Sequence, residues 1–296
     1  MKNQILYASL FVLLTACSSK TDKYDATGTF DAVQTTVFAE QGGKLLDFSI
    51  SEGDVIEKDM QVGLIDTMSL YLTVMQLKSQ RQVFLSGRPD IEKQLAAVRE
   101  QLNKALLEQK RQHDLYADGA TAAKTVDDAD NQVRVLQKQL ESQTSVLNTQ
   151  IASLNAQAQA AEAQMDVVSE QLRKCRIMNP ITGTVLEKYV ERSEYVSMGK
   201  PLYKIADIGN MRLKAYLTSS QLEKVKIGQQ VSVYADFGGG QKREYAGVVS
   251  WISERSEFTP KTILTDDERA DLVYQVKIDI KNDGFVKIGM YGEVKL

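Results

Sequence analysis

The chain has 296 residues, 43% of them hydrophobic and 25% charged, a globular composition long enough for two domains. Its net charge of −3 is spread along the chain without a basic stripe, which argues against nucleic acid as a partner. One histidine and two cysteines exclude a zinc finger and any histidine-rich metal site, so we expect no metal.

Residues 1–16 read as a secretory signal, because Lys2 precedes an apolar run too short to span a bilayer. The run ends at Leu14-Thr15-Ala16-Cys17, which resembles the lipobox of bacterial lipoproteins. That resemblance implies cleavage before Cys17 and lipidation of this residue. Residues 17–36 would then be a lipidated N-terminus, a polar tether and a first strand. The alternative is an ordinary signal peptide with a chance cysteine.

Residues 37–67 are rich in strand formers and punctuated by turns, with Gly43 opening one strand and Gly53 in a turn. Residues 177–208 have the same character. Gly183 opens a strand there as Gly43 does, and Gly199 lies in a turn before the last apolar strand. The two segments therefore form an internal repeat of about thirty residues, interrupted by residues 68–176.

The interruption, residues 68–176, is predicted to be a long antiparallel helical hairpin with its tip near 117–124. In the second arm, core-type positions recur in steps of three and four, as in a coiled coil. These positions are Ala129, Val133, Leu136, Leu140, Gln143, Leu147, Ile151, Leu154, Ala158, Ala161, Met165, Val168, Leu172 and Cys175. An arm from Thr125 to Cys175 would be about 75 Å long. Cys175 is expected to be a small packed hydrophobe, with a reactive thiol as the alternative.

Two features interrupt the helical pattern. The stretch "SGRPD" at 86–90 predicts a break in the first arm, since Pro89 cannot donate a helical hydrogen bond. Gly119 and Ala120 are predicted to reverse the chain at the tip, where glycine reaches left-handed geometry without strain. Thr125 is predicted to cap the returning helix, with Asp127 and Asp128 in its first turn.

Residues 209–296 are predicted to form a β-domain, with strands near 245–254, 272–280 and 287–296. The fold class is therefore multidomain α+β. It comprises a split β-sandwich, a coiled-coil hairpin that interrupts the sandwich, and a β-barrel.

The repeated segments resemble the two halves of a lipoyl or biotinyl carrier domain. No lysine stands in a tight turn between them, so neither lipoate nor biotin is expected and no cofactor is predicted. Lipoprotein signal, first half, hairpin, second half and β-domain, in this order, resemble the periplasmic adaptor proteins of bacterial export pumps, the HlyD-type membrane fusion proteins. The resemblance covers nearly the whole mature chain.

The resemblance implies a periplasmic, membrane-anchored protein, with the inner membrane favoured. Its implied partners are an inner-membrane transporter, a TolC-like outer-membrane channel and further copies in a homo-oligomeric ring. In adaptors that dock on such channels, the tip pattern is Arg, Leu four residues later and Ser after seven more. Arg111 and Leu115 match this pattern, whereas Ala122 replaces the serine. The alternative is that the tip is only a connector between two helices.

The stretch at 256–278 resembles a loop of adaptors that work with ABC-type exporters. Its candidate transporter contacts are Phe258, Thr259, Pro260, Lys261, Glu268 and Arg269. A solvated surface loop is the alternative, and an RND-type pump is the alternative partner. Adjacent carboxylates and the pair His113 and Asp114 lack a nucleophile, so no enzyme is predicted. The competing functions are a stand-alone structural coiled-coil lipoprotein and a carrier subunit of an enzyme.

Overall fold

The computed structural model describes residues 24–238, 241–258 and 272–296. The chain divides into two compact units. Of the described residues, the first unit takes 24–39, 45–63 and those from 177 onward, and the second takes 40–44 and 64–176. The fold is mixed helix and sheet, with a long helical hairpin and β domains, as predicted.

The second unit contains the hairpin, built from α1 (Met68–Ser86), α2 (Ile91–Ala117) and α3 (Ala123–Lys174). Both α1 and α2 pack against α3. The predicted break at 86–90 is confirmed, because α1 ends at Ser86 and α2 restarts after Asp90. The Asp90 side chain caps the restart by accepting a bond from the Lys93 N–H at 3.2 Å.

The predicted seam of the hairpin is confirmed by burial. Every core-type position from Ala129 to Cys175 is buried or half-buried. The same holds for positions of the first arm that recur in the same steps of three and four, namely Ile91, Leu95, Val98, Leu102 and Ala105. The stripe follows because side chains three and four residues apart share one helix face. Cys175 is only 1% exposed, as expected of a packed hydrophobe, and burial raises the pKa of its thiol, with Asp66 adding to the shift.

The first unit contains most of the strands. They are β1 (Ala26–Phe38), β2 (Gly43–Phe48), β3 (Val55–Ile56), β4 (Gln61–Ile65), β5 (Arg176–Met178), β6 (Gly183–Lys188), β7 (Tyr195–Val196), β8 (Pro201–Thr218), β9 (Gln230–Asp236), β10 (Lys242–Phe258), β11 (Leu272–Lys281) and β12 (Tyr291–Lys295). A short helix α4 (Ser219–Leu222) follows β8. The strand β8 runs through residue 208 without interruption, so no change of element marks the domain boundary predicted there.

Six strands form a closed ring of antiparallel pairings. The order is β1-β12-β9-β10-β11-β8, and β8 pairs with β1 again. Alternate side chains such as Phe30, Leu213 and Val233 point into the core. Close approach of strands requires glycine at Gly28, where a Cβ atom would lie 2.0 Å from the carbonyl oxygen of Lys214.

The remaining strands confirm the internal repeat with a constant offset of 140 residues. The strands β2 and β6 begin at Gly43 and Gly183 and have equal length, and β3 and β7 are related in the same way. Backbone bonds repeat as well. Gly53 donates to the Val185 carbonyl at 2.9 Å, and Ser193, its counterpart, donates to the Leu45 carbonyl at 2.8 Å. Each half therefore completes the other, although more than a hundred residues separate them.

Asn179 is a buried polar side chain that the first half of the repeat lacks. Ala39 in the first half corresponds to Asn179 in the second, and both are buried. The Asn179 amide donates to the carbonyls of Glu57 and Ile181 at 2.8 and 2.6 Å. Its oxygen accepts from the Tyr203 hydroxyl at 3.0 Å. Burial raises the pKa of Tyr203, so the phenol stays protonated and keeps donating.

Candidate functional site

The tip of the hairpin begins where α2 ends in a Schellman motif. The Ala120 N–H donates to the Leu115 carbonyl at 2.8 Å, and the Gly119 N–H donates to the Tyr116 carbonyl at 3.0 Å. Gly119 has a φ of 72°, which glycine adopts without a Cβ clash. The sequence thus placed the reversal correctly at Gly119.

The prediction for the start of the returning helix is wrong. The N-cap of α3 is Ala122, in an extended conformation and without a side-chain cap. The Thr125 N–H donates to the Ala122 carbonyl at 3.0 Å, so Thr125 lies inside the first turn. Asp127 and Asp128 therefore fall beyond that turn. The exposed N–H groups of this turn can bond water, so the helix starts on good helix formers without a capping hydroxyl.

The three predicted docking residues occupy different local settings. Arg111 and Leu115 lie one turn apart on α2 and share a face. The Arg111 side chain is 72% exposed and forms an ion pair with Glu108 at 3.3 Å. Ala122 is exposed at the N-cap of α3 and has no hydroxyl. The neighbouring Thr121 hydroxyl donates across the turn to Gln112 at 3.3 Å.

Sequence reasoning missed a polar contact between the two arms behind the tip. Asp130 Oδ1 accepts from Gln109 Nε2 at 2.8 Å and lies 2.9 Å from His113 Nε2. Bonding by Gln109 and then by His113 lowers the pKa of Asp130. The histidine thus pairs with Asp130 on the opposite arm and not with its neighbour Asp114. A usable signal was present, because Gln109 continues the seam of α2 and His113 follows one turn later.

A second candidate region is one end of the ring, which we call the tether end. It is the end at which β1 begins and β8, β10 and β12 finish, as the antiparallel registers require. Phe258 is the last residue of β10, so the predicted transporter loop leaves the ring at this end. Thr259, Pro260, Lys261, Glu268 and Arg269 lie outside the described residues, as does Cys17.

The glycines chosen from the repeat occupy two kinds of position. Gly53 and Gly199 are in turns with φ of 93° and 82°. Gly43 and Gly183 are sites of close packing, where a Cβ atom would lie 2.7 Å from Ile65 Cγ2 and 2.4 Å from the Ala206 carbonyl oxygen. The counterparts of the two turn glycines, Ser193 and Asp59, also take positive φ.

Among residues 24–238, 241–258 and 272–296, no three His, Cys, Asp or Glu side chains are grouped so that they could hold a metal ion. In the same part of the chain, no helix has the length and apolar character needed to cross a bilayer.

Comparisons with known proteins agree with this architecture. No family model matches the chain. The UPF0194 membrane protein YbhG of Salmonella gallinarum is 26% identical over 300 residues, covering 94% of this chain and 90% of its own length. The crystal structure of MacA from Actinobacillus actinomycetemcomitans matches with a TM-score of 0.55 and 22% identity, over 91% of this chain and 76% of that one.

The membrane fusion protein Spr0693 from Streptococcus pneumoniae also matches with a TM-score of 0.55, at 16% identity, over 91% of this chain and 97% of that one. Structural likeness at such identities shows the fold. The predicted resemblance to membrane fusion proteins is therefore confirmed at the level of the fold.

Proposed function

We propose that this chain, which has the fold of membrane fusion proteins, is a non-enzymatic periplasmic adaptor of a bacterial efflux or export pump. It bridges an inner-membrane transporter to a TolC-like outer-membrane channel. The observation that carries the proposal is the helical hairpin inserted between two interlocked β-halves and followed by a closed ring of strands. In this proposal the halves are a lipoyl-like sandwich without a cofactor, and the ring is the adaptor β-barrel.

The anchor in this proposal is lipid on Cys17, and the inner membrane is the favoured location. The lipobox-like Leu14-Thr15-Ala16-Cys17 supports it. The burial of Cys175 also supports the anchor, because a buried Cys175 does not form a disulfide with Cys17 and so leaves the Cys17 thiol for the lipid. Mass spectrometry of the intact mature chain tests the anchor. A chain that keeps residues 1–16 or a free Cys17 thiol contradicts it.

The transporter in this proposal is of the ABC type, with an RND-type pump as the alternative. The resemblance of 256–278 to a loop of ABC-associated adaptors supports the choice. The exit of that loop at the tether end is consistent with a contact near the membrane, since the anchored N-terminus leads to the same end.

A ring of copies is supported by two exposed helical stripes in the second unit. On α3 an uncharged, exposed stripe recurs in steps of three and four, separately from the seam. Its members are Val135, Gln139, Ser142, Val146, Thr149, Ser153, Ala156, Ala160, Ala163 and Val167. On α1, Met68, Tyr71, Leu72, Met75 and Val83 are also exposed. Large side chains on one helix and small ones on the other suit a head-to-tail interface, which closes into a ring.

Crosslinking in whole cells followed by purification tests the adaptor function against its main rival. An adaptor is recovered with a transporter and an outer-membrane channel. A stand-alone structural lipoprotein is recovered with copies of itself alone, and that outcome would refute the adaptor.

Docking at the tip is tested by Arg111→Asp. Reversing this exposed charge is expected to abolish export and leave the protein folded and membrane-bound, because Arg111 has only a solvent-exposed partner in Glu108. Lys110→Asp is the matched control, since it makes the same charge change on the neighbouring exposed residue, about 100° around the helix. Normal export by the Arg111 variant removes the docking claim.

A further inference from the structure

We propose that the turn between α4 and β9, residues 223–229, lies on the surface of the membrane that holds the lipid anchor. In this arrangement Ile227 enters the headgroup layer, and Lys224 and Lys226 contact anionic lipid headgroups. The proposal rests on the anchor at Cys17 from the proposed function and adds a protein surface that touches lipid.

The first argument is the reach of the tether. Seven residue steps separate Cys17 from Tyr24, so the two Cα atoms are at most about 24 Å apart. Tyr24 is held against the ring of strands. The centroid of its aromatic side chain lies 5.1 Å from that of Tyr234 and 4.2 Å from Lys242 Nζ. A lipidated Cys17 therefore keeps the ring close to the bilayer.

The second argument is that the turn belongs to the end of the ring that the tether reaches. Asp25 donates to the Val294 carbonyl at 2.8 Å and accepts the Leu296 N–H at 2.9 Å, which joins the start of β1 to the end of β12. The Asp25 carbonyl also accepts from the Gln221 amide in α4 at 2.5 Å. The segment that carries residues 223–229 thus starts beside the point where the tether enters the fold.

The third argument is that the turn is rigid. The Gln229 N–H donates to the Lys226 carbonyl at 3.1 Å, and the Lys226 N–H donates to Gln229 Oε1 at 3.0 Å. Gly228, with a φ of 87°, occupies the third position of this four-residue turn, and its N–H donates to the Val249 carbonyl at 2.8 Å. Ile227 is consequently presented at the apex by a fixed backbone.

The fourth argument is the chemistry of the turn. Val225 is buried in the core of the ring, whereas Ile227 is 67% exposed. Lys224 and Lys226 are exposed on either side of Val225, and Glu223 is the one acid among the residues of this turn. An exposed aliphatic side chain flanked by lysines suits the interface of an anionic bilayer, where the alkyl group enters and the ammonium groups stay at the headgroups.

The test uses the mature lipidated protein in vesicles that contain phosphatidylglycerol. An environment-sensitive fluorophore is attached to Ile227→Cys. It reacts there selectively, because lipid occupies the Cys17 thiol and Cys175 is buried. The matched control is Phe285→Cys, which is exposed in the connection between β11 and β12 at the other end of the ring. Quenchers carried on the acyl chains report contact with lipid.

We expect the label at 227 to be quenched by the lipid-borne probe and the label at 285 to be unaffected. Lys224→Glu with Lys226→Glu should lower the quenched fraction by about an order of magnitude, since each lysine strengthens contact with an anionic surface roughly fivefold. Vesicles of phosphatidylcholine alone should have a similar effect.

Equal signals at 227 and 285 would overturn the proposal. So would quenching that the charge reversal leaves unchanged, or that appears only when transporter is reconstituted, because the turn would then face protein. Mass spectrometry of the same sample separates this result from failure of the anchor. A chain without lipid removes the premise, whereas a lipidated chain with no quenching at 227 overturns the surface alone.

Discussion

Replacing Asn179 by alanine is expected to loosen the interlocked halves, because this side chain is bonded to both of them. The change copies the first half, where Ala39 fills the equivalent position, but it removes hydrogen bonds to the buried Tyr203 hydroxyl and to the carbonyls of Ile181 and Glu57. The Tyr203 hydroxyl and the Ile181 carbonyl would lose their hydrogen bonds to this side chain. The Glu57 carbonyl keeps a weaker hydrogen bond from the Met60 N–H at 3.4 Å. At about 1–3 kcal/mol per orphaned buried group, the free energy of unfolding should fall by roughly 3 kcal/mol.

Native-state hydrogen exchange of the amides of Asp59 and Val185 measures this change, since both bond across the halves. Their protection should fall by about a hundredfold, the equivalent of about 3 kcal/mol. Tyr203→Phe should cost less, and the double variant should fall short of the sum by about 1 kcal/mol, because the two groups share one bond. Asn148→Ala on the exposed face of α3 is the control. Protection unchanged within a factor of two in the Asn179 variant would refute the reasoning.

Three further predictions concern the hairpin. Leu95→Ala should lower the free energy of unfolding by about 3 kcal/mol, because Leu95 is 1% exposed. Leu107 is 71% exposed, so Leu107→Ala should change this free energy by less than about 0.5 kcal/mol. Equal losses for the two variants in urea unfolding would contradict the assignment of Leu95 to the seam. Hydrogen bonding lowers the pKa of Asp130 in the folded protein, so the stabilisation from its carboxylate should be present above the ordinary pKa of 3.8 and lost as pH falls through the lower folded pKa. Hydrogen exchange near the tip, measured as a function of pH, should show this dependence in the wild type and not in Asp130→Asn. Identical pH profiles for the two proteins would exclude the effect. Cys175 should react with thiol reagents only after unfolding, because its side chain is buried and the pKa of its thiol is raised. Rapid labelling of Cys175 in the native protein would contradict this prediction.

Features that depend on local periodicity could be predicted from the sequence. The seam from Ala129 to Cys175 needs only a regular helix, and Pro89 breaks a helix wherever it stands. The internal repeat could also be predicted, because equivalent turns in the two halves require similar residues at the same spacing. Gly53 and Gly199 marked two of its positive-φ positions, although their counterparts Ser193 and Asp59 carry side chains there.

Features that depend on long-range geometry were not predicted. Thr125 has the chemistry of a cap, but the N-cap of α3 is Ala122, three residues earlier, because exposed N–H groups at a tip have water as a partner. The contact of Asp130 with Gln109 and His113 depends on the alignment of two arms across the turn. Closure of the ring depends on β8 pairing with β1 along most of its length, and no local pattern encodes that partner.

The closed ring has a consequence for the proposed assembly of many copies. A sheet edge carries unpaired N–H and C=O groups, which can recruit a strand from another chain and start aggregation. Each of the six ring strands pairs with a strand on either side along part of its length, so little unpaired edge is left in the described part of the ring. In the four-stranded sheet β5-β4-β2-β7 the outer strands are β5, three residues long, and β7, two residues long. In the proposed assembly, strand addition between neighbouring copies is therefore disfavoured. Side-chain contacts, and not backbone pairing, then determine which surfaces of the copies bind one another.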